Sequence, residues 1–308
     1  MSIANWSHKE LVQELLQFQE TASLILPRKG HFPTLPDIDY FAAITPLKAC
    51  VGGDHLAIVN FEVYGLDAKI AAAENAGNES LAVKLAANRD RFGILIADVA
   101  GHSASSSMIT NYLHAAFRMG VAYELKCNGE VTADLFEILN TQFYNHITAE
   151  YLKSKPYTTM MYGEVHNDGT FRFLSAGHPY PIVFSRKYDR IMPLDPDRTK
   201  NSTPLGVLPS EYRVDTENFK RTFGTKNKYA VNEIRLLGEG DILLLYTDGF
   251  TEQGEGTLNF FETHLEQILR ENKEHDARGI YSAIMDGLQA FSPPEDDLTL
   301  AVIKKTPL

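Results

Sequence analysis

Hydrophobic positions along the chain change period several times, and each change marks an element. Leu11, Leu15 and Phe18 recur at i, i+4 and i+7, so residues 7–25 read as an amphipathic helix. Ser7, followed three residues later by Glu10, supplies a capping box at its start. Pro27 stops it, and Pro27–Pro36 is proline-punctuated loop. Asp39–Ile44, His55–Tyr64 and Phe92–Val99 are rich in β-branched and aromatic side chains and read as strands. Between the last two, Gly65–Asp90 is polar and alanine-rich, and reads as a long hairpin excursion, helical in part. Helical spacing returns at 103–125, through Ile109, Leu113 and Ala116, and again at 131–150. Thr158–Val165, Thr170–Ser175 and Tyr180–Phe184 predict a meander of short strands. Residues 187–240, with Pro193, Pro196, Pro204 and Pro209, read as irregular. Ile242–Tyr246 is an apolar strand. Phe261, Leu265 and Ile268 mark one helix, Ile280, Ile284 and Leu288 another, and Leu298–Lys304 a closing strand. Strand runs followed by helices and more strands predict an α+β fold with antiparallel sheets.

Composition narrows the class. The 308 residues carry 29 basic and 40 acidic side chains, a formal charge of −11, which argues against non-specific nucleic-acid binding. No apolar run reaches the ~18 residues of a membrane span. Residues 1–20 hold Glu10 and Glu14 and no long apolar run, unlike a signal peptide. Two cysteines, Cys50 and Cys127, cannot build a disulfide framework, which points to a reducing, cytoplasmic setting. Excess carboxylate permits a divalent-cation protein without requiring one.

Four acidic positions stand out by setting, each at a strand end or tight turn. Asp54 follows Gly52-Gly53 and opens a strand. Asp98 closes Gly93–Asp98, and Asp248 closes Ile242–Tyr246 ahead of Gly249. The pair Asp296-Asp297 precedes the last strand. A carboxylate at the end of a buried strand is costly unless partnered, and few basic residues flank these motifs; Lys48 and Arg91 are the nearest. Converging carboxylates without basic partners repel one another. Hard divalent cations with oxygen ligands relieve that repulsion. Taken singly, each aspartate is explained as a turn former or helix cap; periodicity alone does not bring the four together in space.

The ordered series Gly52-Gly53-Asp54, Ala97-Asp98-Val99-Ala100-Gly101-His102, Ser175-Ala176-Gly177-His178-Pro179, Pro204-Leu205-Gly206, Tyr246-Thr247-Asp248-Gly249-Phe250-Thr251-Glu252 and Asp296-Asp297-Leu298-Thr299 resembles the metal-dependent (PPM, protein phosphatase 2C-like) serine/threonine phosphatases. Within them it is most similar to the bacterial branch of SpoIIE and RsbU. The resemblance spans about residues 35–304. It implies two antiparallel sheets packed face to face and flanked by helices on both sides, an α-β-β-α sandwich. It also implies a binuclear Mn²⁺ or Mg²⁺ centre. Asp98 matches the bridging aspartate and the Val99 carbonyl a backbone ligand. Asp248 and Asp296 match carboxylates on one ion, with Asp297 ranked behind Asp296, and Asp54 matches the ligand on the other. Attack on phosphorus by a metal-activated water then needs no covalent enzyme intermediate. The chain departs from the family's pattern at His55-Leu56-Ala57, usually aromatic with a second acidic residue, and at Ser103–Ser107, usually glycine and small residues. Lys48 is the nearest counterpart to a phosphate-binding arginine.

Other residues read as structural. Hard cations favour oxygen, so His102 reads as support rather than ligand. His178 reads as a turn or packing residue, Ser105–Ser107 as a helix start, Cys50 as a small buried residue, and the amphipathic stretch 254–275 as core packing. Residues 1–30 form a lead-in and 31–308 the phosphatase domain. The lead-in helix is expected either to pack on that domain or to mediate dimerisation. The function expected is a phosphoserine/phosphothreonine protein phosphatase acting on a phosphorylated, STAS-type anti-sigma-factor antagonist or a similar signalling phosphoprotein. The alternatives are a degenerate phosphatase fold that binds a phosphoprotein without turnover, and a hydrolase of small phosphate esters.

Overall fold

A computed structural model describes residues 6–27, 33–47, 52–101, 104–147, 157–195, 197, 199–211, 224–235, 238–255 and 258–306. The chain begins with helix α1 (His8–Ala22), and the capping box is present: the Glu10 N–H donates to Ser7 Oγ and the Ser7 N–H to Glu10 Oε2. Then come β1 (Ile38–Thr45), β2 (Asp54–Val59), α2 (Leu66–Asn75), α3 (Glu79–Ala86) and β3 (Arg91–Val99). Helices α4 (Ala104–Cys127) and α5 (Ala133–Gln142) lead to β4 (Thr158–His166), β5 (Phe171–Ala176), β6 (Ile182–Ser185), β7 (Arg190–Met192), β8 (Asn232–Ile234) and β9 (Ile242–Tyr246). A two-stranded ribbon of β10 (Gly254–Glu255) and β11 (Leu258–Asn259) precedes α6 (Glu266–Asn272), α7 (Ala277–Phe291) and β12 (Leu298–Lys305).

Two five-stranded antiparallel sheets result, one in the order β1-β12-β9-β6-β7 and the other β2-β3-β4-β5-β8. Alternation along each strand divides the core into three layers. Leu56, Ile58, Phe92, Ile94 and Ile96 face Leu243, Leu245, Ala301 and Ile303 between the sheets. Ala57, Val59, Leu95 and Ala97 point the other way, against Leu113, Phe117 and Val121 of α4, Phe136 of α5 and Leu66 and Ile70 of α2. On the opposite side Ile242, Leu244, Leu300 and Val302 pack on Leu269 of α6 and Ile280, Ile284 and Leu288 of α7. The expected α-β-β-α sandwich is therefore the architecture, and each buried Leu or Ile contributes about 1.5–3 kcal/mol to it.

Two expectations need correction, and one is sharpened. The strand read as His55–Tyr64 ends at Val59, because the Asn60 side chain accepts the Glu62 N–H and closes a 3₁₀ turn over Phe61–Tyr64. Gly65–Asp90 is the expected excursion between two paired antiparallel strands, and most of it is helical: its alanines build α2 and α3, whose Leu66, Ile70, Ala82 and Leu85 cover the sheet. Within the irregular stretch 187–240, β7 and β8 extend one edge of each sheet.

Of the same stretch, Gly206, Leu208, Ser210, Lys226 and Tyr229 are held by α5. Glu137, fully buried, accepts the Lys226 ammonium at 3.1 and 3.0 Å, the Tyr229 N–H at 2.5 Å and the Ser210 hydroxyl. Three residues on, on the same face, Asn140 accepts the Gly206 N–H at 3.0 Å and donates to the Leu208 carbonyl at 2.9 Å. Leu205 then bonds Thr158 of β4 at 2.9 Å, beside the end of β3. Replacing Glu137 by alanine strands the Lys226 ammonium in the interior. Urea denaturation of Glu137→Ala should show a loss of about 3–5 kcal/mol, and far less for the apolar pair Glu137→Leu with Lys226→Met.

Candidate functional site

The motif aspartates meet at one end of the sandwich because both sheets end there. Asp54 opens β2 and stands directly opposite Asp98 on β3. Both share the parity of Leu56 and Ile96, so both face the gap between the sheets. From the other sheet, β9 delivers Thr247 and Asp248 and β12 receives the chain from Asp296-Asp297. The Thr247 N–H donates to the Thr299 carbonyl at 3.1 Å, which continues the β9–β12 ladder to the site.

Each carboxylate has a distinct environment. Asp54 is 2% exposed, and its Oδ2 accepts hydroxyls from Thr247 at 2.8 Å and Thr299 at 2.6 Å. Burial pushes its pKa well above the usual carboxylate range, Asp98 adds to the rise, and the two hydroxyls oppose it. Asp98 is pushed up to about 7, first by burial and then by Asp248, Asp296, Asp297 and Glu252. Asp248 is raised by burial, then by Glu252 and Asp296. The Asp296 carboxylate accepts the N–H of Asp297 at 2.8 Å. Asp297 commits both oxygens to backbone: Oδ1 accepts the Leu47 N–H at 2.7 Å and Oδ2 the Gly53 N–H at 2.8 Å. It fastens the loop that carries Gly52-Gly53-Asp54.

That loop explains its glycines. A Cβ on Gly52 would overlap the Asp297 carboxylate. A Cβ on Gly53 would collide with the Val99 carbonyl and lie 2.5 Å from the Gly101 carbonyl and 3.4 Å from Asp98 Oδ1. Two carbonyls and a carboxylate oxygen thus crowd against Gly53, so the loop comes this close to the end of β3 only because residue 53 is glycine; the oxygens gathered there are of the hard kind that divalent cations take. The carboxylates are gathered without closing: among the described residues, no three His, Cys, Asp or Glu side chains enclose a point as a finished metal site does. The first turns of α4 tie the loop down. Thr110 Oγ1 donates to the Gly53 carbonyl at 2.9 Å, Ser107 to Gly52 at 3.2 Å and Ser106 to Ala100 at 3.2 Å.

The histidines lie elsewhere in function. His55 has the parity of Ala57 and Val59 and faces the helix layer; its Nε2 is 3.2 Å from Nδ1 of His114 on α4. The departure at this position therefore alters helix packing. Burial pushes His55 down to about 3. His178 is buried with Nδ1 2.9 Å from the Thr159 hydroxyl, also pushed down to about 3 by burial. Lys48, Cys50 and His102 fall outside the described residues. Thr247, Thr299, Thr110 and Glu252 received no role from sequence. For the first two the available signal was parity: polar residues at inward positions of otherwise apolar strands.

The description "Stage II sporulation protein E (SpoIIE)" belongs to a family model that matches residues 88–306. No curated protein matches the sequence. Solved structures share the fold. The SiaA-PP2C domain of Pseudomonas aeruginosa aligns over 99% of both chains at 18% identity and a TM-score of 0.64. The RsbU and RsbW domains of a Mycobacterium tuberculosis protein align over 91% of this chain at 20% identity and a TM-score of 0.60; this chain spans 64% of theirs. RsbX in complex with magnesium aligns over 90% of this chain and 97% of its own, at 13% identity and a TM-score of 0.50. At these identities the likeness establishes a PP2C-like fold.

The raised Asp98 has a measurable sign. Between its usual 3.8 and about 7, the metal-free folded chain holds a proton that the unfolded chain has released. The stabilisation from this group is complete below about pH 4 and is lost as pH rises through 7. The melting temperature in chelator should therefore fall from pH 5 to pH 8, and Asp98→Asn should flatten that fall.

Proposed function

The chain belongs to the Stage II sporulation protein E (SpoIIE) family, and on that premise we propose that it is a metal-dependent phosphoserine/phosphothreonine protein phosphatase. The observation that carries this reading is the convergence of acidic side chains at one sheet end, where Asp248, Asp296, Asp297 and Glu252 all raise Asp98, and Glu252 and Asp296 raise Asp248, beside the Val99 and Gly101 carbonyls. Carboxylates so placed fit two Mn²⁺ or Mg²⁺ ions, and the magnesium in the RsbX structure supports a divalent ion. We assign Asp98 as the shared ligand, the Val99 carbonyl and Asp54 to one ion, and Asp248 and Asp296 to the other. Asp297, taken up by the Leu47 and Gly53 N–H groups, we assign to holding the loop.

Bound divalent ions would supply Lewis acidity toward a phosphoryl group and lower the pKa of water. The chain's own residues do the positioning. The β2–β3 ladder sets Asp54 across from Asp98. Asp297 and the α4 hydroxyls immobilise the glycine loop. Gly53, lacking a side chain, lets the loop approach the Val99 and Gly101 carbonyls more closely than any other residue would. Family membership supports a signalling phosphoprotein as substrate, and the pairing of RsbU and RsbW domains in the M. tuberculosis structure supports a partner-switching setting with a STAS-type anti-sigma-factor antagonist. Among the described residues no helix is long and apolar enough to cross a membrane, in keeping with a cytoplasmic enzyme.

The lead-in helix supports self-association. Leu11, Val12, Leu15 and Leu16 of α1 are 41–55% exposed, while Ala22 alone is buried. A helix of 15 residues is marginal in water without a covering partner. Light scattering should give a dimer that Leu11→Glu with Leu15→Glu converts to monomer.

Activity is tested with an aryl phosphate and a phosphoserine protein, with and without Mn²⁺. Turnover should require metal. Asp98→Asn and Asp248→Asn should each lose more than ~100-fold, beyond what outer partners of metal ligands cost, with the circular-dichroism spectrum unchanged. Bound metal with no turnover on either substrate would instead identify a phosphoprotein-binding module.

A further inference from the structure

Asp54 accepts side-chain hydroxyls that come from the opposite sheet. Thr247, just past β9, and Thr299, in β12, both donate to the same oxygen, Oδ2, at 2.8 and 2.6 Å. The direction of these bonds is fixed by a third. Thr247 Oγ1 accepts the Thr299 N–H at 3.0 Å, so its own hydrogen is committed to Asp54. All three side chains are buried, Thr247 and Thr299 completely. Two donors on one oxygen arrest rotation of the carboxyl group and present its second oxygen in a single orientation. They also clasp β2 to β9 and β12 where the sandwich opens onto the site.

We infer that Thr247 and Thr299 are positioning residues that set the affinity of the Asp54-side metal ion, by orienting the Asp54 carboxylate across the junction of the two sheets. The inference rests on the metal-centre reading above and adds to it a control of one ion separate from the other. Each hydroxyl has a single hydrogen and gives it to Asp54, so the ligands assigned to the second ion keep their places when the clasp is removed.

The discriminating experiment is Mn²⁺ titration by calorimetry, at a temperature well below melting, on the wild-type chain, Thr299→Val, Thr247→Val and Thr299→Ser. Wild type should bind two ions. Each valine variant should weaken one ion by ~10–100-fold, the range of outer-partner losses at metal sites, and leave the other unchanged. Thr299→Ser, which keeps the hydroxyl, should restore wild-type binding. In an Asp54→Asn background Thr299→Val should have no further effect on either ion, as expected when one residue acts through another. A purely structural role would lower the melting temperature and leave both affinities alone. Folded valine variants that bind both ions like wild type overturn the inference while the metal centre stands. A wild-type chain that binds no Mn²⁺ overturns the metal centre, and the inference with it. Should Thr299→Val fail to fold, Thr299→Ala, which adds no bulk, takes its place under the same criteria.

Discussion

Carboxylates brought together at the end of a buried sandwich repel one another, and the surrounding structure is organised to hold them in that state. Asp98 is pushed up to about 7 by burial and by three neighbouring aspartates and Glu252. Elsewhere in this chain buried charge is met directly: Arg91 by Glu164 at 3.0 Å and Lys226 by Glu137 at 3.0 Å. At the site the described residues meet it with hydroxyls and backbone N–H groups, each of which offsets only part of a full charge. Uncompensated charge that a fold maintains is a marker of a functional site, and the sign of the deficit is the sign of a cation.

Holding such a cluster demands rigidity from elements that carry no charge. The sandwich supplies it through register: a one-residue slip of β2 against β3 would turn Asp54 toward the helices and His55 toward the site. The loop before β2 is fixed from three sides, by Asp297, by Ser107 and Thr110 of α4, and by the carbonyls that exclude a side chain at Gly53. The Pro204–Gly206 turn reaches the same end of the molecule through Thr158, and its own anchor is the side-chain amide of Asn140. Family motifs that carry no acidic residue thus have a mechanical explanation: they fill or brace the space around those that do.

Much of this was legible in the residues. The continuous apolar, β-branched and aromatic runs Phe92–Val99 and Ile242–Tyr246 marked strands that prove to be buried on both faces, and the capping box of α1 was readable from Ser7 and Glu10 alone. Motif order indicated the sandwich, which the structure has. What stayed illegible depended on contacts distant in sequence. The alanines of Gly65–Asp90 favour a helix, but only their packing over the sheet shows why two helices lie between paired strands. The aromatic run after Val59 has strand composition, and a single Asn60 side chain overrules it. Asp297 looked like a ligand beside Asp296; its partners, the N–H groups of Leu47 and Gly53, lie some 250 and 244 residues away. Thr247 and Thr299 sat in full view inside quoted motifs, yet their common acceptor belongs to the other sheet.

The central claim is that the acidic end of the sandwich is a divalent-cation centre. Anomalous diffraction from crystals grown with Mn²⁺ tests it most directly. The account predicts two peaks, roughly 3.5–4 Å apart as in binuclear phosphoryl-transfer sites, with Asp98 between them, the Val99 carbonyl and Asp54 toward one and Asp248 and Asp296 toward the other. A well-ordered site with no peak at Asp98, or with Mn²⁺ bound only elsewhere on the chain, would contradict it.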